Sequence, residues 1–289
     1  MIHLVCFDID GTLVDENKKI PPAVLKALQY LQKQGIIIVL ASGRHFGALQ
    51  EYAHLIGTYA PVIALNGAAV LGPERNKFMY VRVLNSRCIL DILKDARESR
   101  LHVSLYYPSS ISVVNTESEP YPPYNVDGQS SAEAWLAYHW IIDKITARTL
   151  GAWPFVSESR VDSNPDHLLK LLISGNPEEL ITFMKSTAVR YQKDYYFSFS
   201  GERYVDVIDK DANKGVALEF VANKLGISRQ DVMAVGDHYN DLPMLEFAGF
   251  GVAMGNAPRI VQEKADWVTL KNTEMGVLVA LKHVFSDLQ

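Results

Sequence analysis

The chain of 289 residues is short of several things, and each shortage excludes something. There are two cysteines, Cys6 and Cys88, too few for a disulfide framework. Cys6 lies inside an apolar run and reads as a buried free thiol. Long hydrophobic stretches are missing. The longest purely aliphatic run, "IIIVLA" at 36–41, falls far below the roughly 20 apolar residues a membrane helix needs. No basic n-region precedes the first apolar segment, so no secretory signal is read, and the expectation is a reduced, cytoplasmic protein. Basic charge is scarce as well: 28 Lys and Arg against 33 Asp and Glu leave a net charge of −5. That offers no footprint for nucleic acid and no polybasic patch for a membrane. The histidines, including His102, His139 and His167, have no zinc-ligand spacing. No internal repeat is visible.

Apolar residues are plentiful, at 48% of the chain, which suffices for a core of ordinary size. The length suggests one large or two modest domains. The first third alternates. "IHLVCF", "IIIVLAS" and "PVIAL" are short, continuous apolar runs that predict buried strands. Between them lie two helices. "PPAVLKALQYLQKQG" has Pro21 and Pro22 at its start, Val24, Leu28 and Leu31 on one face, and Gly35 at its end. "HFGALQEYAHLIG" closes near Gly57. Such βαβ units build a parallel sheet covered by helices. A hairpin follows, "AAVLG" to "FMYVRVL", turning at Pro73 to Asn76.

From about 84 to 208 the texture changes. A helix, "SRCILDILKDARES", places Ile89, Leu93 and Ala96 on one face. "HVSLYY", "ISVVN", "LLKLLIS", "YYFSFS" and "RYVDVI" predict strands of a more antiparallel α+β unit. "PEELITFMKSTA" and "AEAWLAYHWIIDKI" predict helices, the latter with Trp135 and Tyr138 as packing groups. Residues 115–131, rich in Pro, Tyr, Ser and Asp, predict a loop. The βα rhythm then resumes: the helix "NKGVALEFVANKLG" with Ala217, Val221 and Leu225 on one face, the strand "VMAVG", and the helix "NDLPMLEFAG" with Pro243 in its first turn. The strands "FGVAM" and "DWVT" and the helix "GVLVALKHVF" complete the chain. The expected fold is α/β: a Rossmann-like parallel-sheet core from 1–83 and 209–289, with an inserted α+β domain at 84–208.

Four polar clusters stand just after buried strands or at helix starts, where open α/β sheets bind their ligands. They are Asp8, Asp10 and Thr12 in "DIDGTL"; Ser42 and Gly43 in "ASGR"; Lys214 in "DANKG"; and Asp237, Asn240 and Asp241 in "GDHYND". Each alone is ordinary. An Asp-x-Asp is commonly a solvated turn, a lone Lys is surface, and Asn240 by itself reads as a helix N-cap. Together they supply three carboxylates for a hard cation (Asp8, Asp10, Asp237), two hydroxyls for phosphate (Thr12, Ser42) and one ammonium. Mg²⁺ favours oxygen ligands of this kind together with substrate phosphate. It would also offset the repulsion between Asp8 and Asp10, whose side chains, one residue apart on an extended strand end, are expected to point the same way.

In this order the clusters resemble the four motifs of the haloacid dehalogenase superfamily of phosphatases. The tail "GFGVAMGNA…ADWVT" and the long insertion resemble its Cof-type, subclass IIB members. The resemblance implies an insertion that acts as a cap and sets specificity. It implies Asp8 as nucleophile, forming an aspartyl-phosphate, and Asp10 as general acid and then base. Ile9, Thr12, Ser42, Gly43, Lys214 and Asn240 would bind phosphate. Asp8, Asp10 (through its backbone carbonyl) and Asp237 would hold Mg²⁺, and Asp241 would support Lys214 or the metal. The substrate would be a small phosphorylated metabolite, a sugar phosphate or similar monoester. A phosphomutase of the same superfamily and a catalytically silent binding protein are the alternatives. Asn66 in "LNGA" fits substrate contact or a tight hairpin entry. His238 and Tyr239 stand where family members often carry smaller residues, and Tyr239 fits either a packing role or the substrate pocket.

Overall fold

The computed structural model describes residues 1–75, 77–108, 111–115, 155–157 and 167–288. The expected helix "AEAWLAYHWIIDKI", with Trp135, Tyr138 and His139, and residues 116–131 of the expected loop lie outside them. In chain order the strands are β1 (Leu4–Phe7), β2 (Ile37–Ala41), β3 (Val62–Ala64), β4 (Ala69–Leu71), β5 (Phe78–Val81), β6 (His102–Tyr106) and β7 (Ile111–Asn115). They continue with β8 (Phe155–Ser157), β9 (Lys170–Ser174), β10 (Tyr195–Phe199), β11 (Tyr204–Asp209), β12 (Val232–Gly236), β13 (Phe250–Ala253) and β14 (Trp267–Val268). The helices are α1 (Pro22–Lys33), α2 (Phe46–Ile56), α3 (Ile89–Glu98), α4 (Pro177–Phe183, continued by the helical turns Met184–Ala188 and Val189–Tyr191), α5 (Lys214–Lys224), α6 (Leu242–Phe247), α7 (Arg259–Lys264) and α8 (Gly276–Val284). Two compact units result, Met1–Val81 with Ala212–Gln289, and Arg82–Asp211.

The first unit is built on an eight-stranded sheet in the order β14-β13-β12-β1-β2-β3-β4-β5. Its first six strands run parallel, and β4 and β5 are antiparallel additions. Leu4 and Cys6 of β1 pack with Val39, Ile63, Val232, Ala234 and the buried faces of α5 and α6. Val5 and Phe7, on the opposite face, are equally buried. This burial on both faces is why the strands read as unbroken apolar runs. Burial also pushes the Cys6 thiol up and keeps it inert, as its apolar setting implies.

Three local expectations change. Leu225 is not on the buried face of α5 but caps its end, and Leu218 and Ala222 share the face with Ala217 and Val221 instead. The strand "FMYVRVL" stops at Val81. Two elements went unforeseen: the short helix α7, which follows Pro258, and the three-residue strand β8.

The second unit has a six-stranded sheet in the order β10-β11-β9-β6-β7-β8, antiparallel except between β7 and β8. One face carries Val103, Leu105, Leu171, Ile173, Val205 and Val207, packed on Ile89, Ile92 and Leu93 of α3 and Leu180 and Phe183 of α4. Among the described residues no helix is long and apolar enough to cross a membrane.

Candidate active site

Strand register brings the four clusters together. Phe7 of β1 pairs with Val235 of β12 and with Leu40 of β2, all parallel. The Asp8 N–H donates to the Val235 carbonyl at 3.0 Å. Asp8, Ser42 and Asp237 therefore leave the sheet at the same edge, each within two residues of its strand's end. All of these residues belong to the first unit.

Lys214, fully buried at the start of α5, sits between two carboxylates. Its Nζ donates to Asp8 Oδ1 and to Asp241 Oδ1, 2.5 Å each. Asn213 caps the helix by accepting the Val216 N–H, which fixes where Lys214 begins. Gly215 follows because a side chain there would collide with the Pro243 carbonyl of α6. Asp241 spends its other oxygen on two backbone donors, the N–H groups of Asp237 and His238, at 2.9 Å each. Asp237 in turn accepts from Thr12 Oγ1 at 3.0 Å and from Asn256 Nδ2 at 3.2 Å. Gly11, at φ 79°, turns the chain tightly against the Asp237 carboxylate, where a Cβ would not fit.

Asp8, Asp237 and Asp241 offer oxygens within 4.8 Å of one another. Three buried carboxylates thus share one ammonium. Burial, then the charges of Asp241 and Asp237, push the Asp8 carboxyl well above its usual range despite Lys214. Burial and Asp241 likewise push Asp237 up to about 7, with Thr12 and Lys214 pulling the other way. Burial would lower the Lys214 ammonium, but Asp241 and Asp8 outweigh it and raise it. An all-oxygen set with surplus negative charge is the chemistry a hard divalent cation requires.

Asp10 departs from expectation. Strand β1 ends at Phe7, and Ile9–Leu13 winds as a tight turn in which Asp10 keeps non-helical dihedrals, φ −80° and ψ 122°. The Asp10 carboxylate is taken up by Arg44, with Nε to Oδ2 at 2.6 Å and Nη2 to Oδ1 at 2.6 Å, and by Lys18 Nζ at 2.7 Å. Burial pushes this carboxyl up, but Arg44 and Lys18 outweigh it and hold it at about 2. Ile9 is buried at the head of the turn, and its carbonyl accepts the Val14 N–H.

Asn240 does not cap a helix. It sits in a short 3-10 turn, and its Nδ2 donates to Asn66 Oδ1 at 3.0 Å. Asn66, at φ 57° and buried, packs against Gly43 and donates its backbone N–H to the Ser42 carbonyl. It joins the second and fourth clusters. Tyr239 packs against the core of the first unit beside the His238 ring. Arg44, Lys18 and Asn256 were not singled out from the sequence. Arg44 and Asn256 carry the signal used for the others, a polar residue just past a buried strand.

Residues 5–281 match the haloacid dehalogenase-like hydrolases, and the chain belongs to that family. Within it, the chain is a phosphatase of the Cof-type. It is 30% identical to the stress response protein YhaX of Bacillus subtilis, over 98% of this chain and 93% of the relative. It is 28% identical to the 5-amino-6-(5-phospho-D-ribitylamino)uracil phosphatase YitU of the same organism, over 98% of each. A haloacid dehalogenase-like hydrolase from Bacteroides thetaiotaomicron superposes with a TM-score of 0.76 at 27% identity, covering 99% of this chain and 100% of the other. The subclass IIB sugar phosphatase BT4131 shares the fold, with a TM-score of 0.75 at 23% identity over 97% and 98% of the two chains.

Proposed function

We propose that the protein is a cytoplasmic, Mg²⁺-dependent phosphatase that hydrolyses a small phosphorylated metabolite through an aspartyl-phosphate on Asp8. The observation that carries this reading is the Asp8–Lys214–Asp241 contact beside Asp237, a buried nucleophile candidate in a cluster short of positive charge. The side chains of Asp8 and Asp237, with the Asp10 carbonyl, would hold the cation. When bound, it would offset the surplus charge and keep Asp8 and Asp237 ionised at neutral pH.

The protein's own residues then divide the work. An Asp8 oxygen attacks phosphorus and the ester bond to the leaving alcohol breaks; Asp10, ionised in the grip of Arg44 and Lys18, would first have to take up a proton on substrate binding in order to protonate that alcohol. Lys214 neutralises Asp8 and the phosphoryl oxygens. Backbone N–H groups near Ile9 and Gly43, with Thr12, Ser42 and Asn240, take up the remaining oxygens. Water then attacks the phosphoenzyme, giving its proton to Asp10, and the electron pair returns to the Asp8 carboxylate. Residues 84–208 act as the cap that selects the leaving group and excludes water. The 5-amino-6-(5-phospho-D-ribitylamino)uracil phosphatase among its relatives supports a sugar phosphate or similar phosphomonoester as substrate.

The test is release of inorganic phosphate from 4-nitrophenyl phosphate and from sugar monophosphates, with Mg²⁺ and with a chelator. Turnover should stop on chelation and in Asp8→Asn, which should stay folded by circular dichroism. Unchanged turnover in Asp8→Asn sinks the mechanism. Conversion of a sugar phosphate to an isomer without phosphate release would make it a mutase.

A further inference from the structure

We propose that Arg44 is a positioning residue for Asp10, setting the carboxylate's orientation for the water step; this deepens the reading above and rests on it. Asp10 lies in a turn that leaves its side chain 38% exposed, so close packing alone does not fix its carboxylate. The guanidinium does. Nε meets one oxygen and Nη2 the other, each at 2.6 Å, a two-point fork that fixes the plane of the carboxylate as well as its place. Lys18 adds a single point from a side chain that is 44% exposed, so solvent screens it.

Arg44 is itself held on every side. It occupies the loop between β2 and α2, its N–H donates to Ser42 Oγ at 3.2 Å, and its carbonyl accepts the Leu65 N–H at 3.1 Å. Its guanidinium lies 5.6 Å from the centre of the Tyr52 ring, and the Tyr52 hydroxyl donates to the Lys18 carbonyl at 3.1 Å. The loop that presents Ser42 and Gly43 therefore also presents the clamp on Asp10. One short segment couples the expected phosphate site to the proton acceptor.

Pairing with a guanidinium makes Asp10 a weaker base. In a loose phosphoryl-transfer transition state the water proton moves late, so placement of the acceptor outweighs its basicity. Loss of Arg44 should consequently slow the step in which water attacks the phosphoenzyme. Transfer to Asp8 from a good leaving group, which needs no proton, should proceed as before.

The experiment is steady-state and rapid-mixing kinetics of Arg44→Ala on 4-nitrophenyl phosphate with Mg²⁺. The expected result is a fall in kcat of about tenfold to 10²-fold with kcat/KM held within about threefold. KM should fall in parallel, and a burst of 4-nitrophenol should approach one per active site. KM and the burst per active site do not depend on how much of the sample is folded, so partial misfolding cannot imitate them. Should Arg44→Ala fail to fold, Arg44→Lys decides, since it keeps the charge and loses the two-point grip; the same split is expected, smaller. If kcat and kcat/KM fall together, or no burst forms, the proposal is overturned. With Asp8→Asn inactive, that result removes the role of Arg44 and leaves the phosphatase mechanism standing; with Asp8→Asn active, both fall.

Discussion

Each unit buries charge, and the two do it differently. In the first, Lys214 is shared by Asp8 and Asp241, and Asp237 stands beside them. In the second, Lys170 of β9 meets Asp206 of β11 at 2.5 Å, both almost fully buried, with the Tyr106 ring 5.0 Å from the ammonium. Asp206 is directly opposite Leu172, so Lys170 and Asp206 are diagonal neighbours on one face of the sheet. Among the described residues that pair is balanced, one ammonium against one carboxylate. Around Lys214 one ammonium faces three carboxylates, and the cluster is open. The open cluster is costly as it stands, and its surplus charge fits the cation and the reaction proposed above.

The largest effects should come from breaking each cluster at its lysine. Lys214→Met and Lys170→Met should each destabilise folding by about 3–5 kcal/mol, because a buried carboxylate loses its partner. Lys214→Met should also lose at least about 10²-fold in phosphatase activity. Denaturant midpoints and turnover measure both. Double substitution sharpens the contrast. Lys170→Met with Asp206→Leu should recover much of the loss, since a balanced pair can be exchanged for apolar groups. Lys214→Met with Asp241→Leu should not, because Asp8 and Asp237 remain and the N–H groups of Asp237 and His238 lose their acceptor. Recovery in both would erase the distinction.

Next in size is the response to cation and pH. Asp237 titrates near 7 when folded and near the ordinary 3.8 when unfolded. A carboxyl raised on folding binds its proton more tightly in the native state. Its contribution is therefore present at low pH and lost as pH rises from about 4 through about 7. The metal-free protein should show a falling denaturation midpoint between pH 5 and 8. Saturating Mg²⁺ should cancel that fall, adding about 2.7 kcal/mol at a hundredfold excess over Kd. Asp237→Asn should flatten the pH dependence and remove the Mg²⁺ response. The smallest effect belongs to Asp10, whose carboxyl is depressed to about 2. Its pairing with Arg44 contributes above pH 4 and fades as pH falls through 2. In Arg44→Ala that shallow acid loss should disappear from the unfolding curve.

Much of this was legible before any coordinates. The parallel strands were readable because burial on both faces demands continuous apolar residues, as in "HLVCF" and "VMAVG". Helix α1 was readable from its prolines and from Gly35. The elements that escaped were short. β8 has three residues and α7 six, too few for a period to show. Within the site, "DIDGTL", "ASGR", Lys214 and "GDHYND" were found by their position after strands. The side-chain partners were not. Asp8 and Asp10 were expected to face one phosphate, and the Arg44 and Lys18 partners that take up the Asp10 carboxylate were not foreseen. The bond from Asn240 to Asn66 spans 174 residues of sequence, and no local pattern encodes it.

The sequence alone determined what kinds of groups stand at the strand ends, because strand, helix and turn chemistry act over a few residues and leave local marks. Tertiary structure decided which of those groups touch. Asp8 and Lys214 are 206 positions apart, and the parallel register of β1 against β12 and the start of α5 bring them to hydrogen-bonding distance. Charge surplus is likewise a property of the assembled cluster. Three carboxylates scattered along a chain repel nothing, and only when the fold removes water from around them do they require a cation.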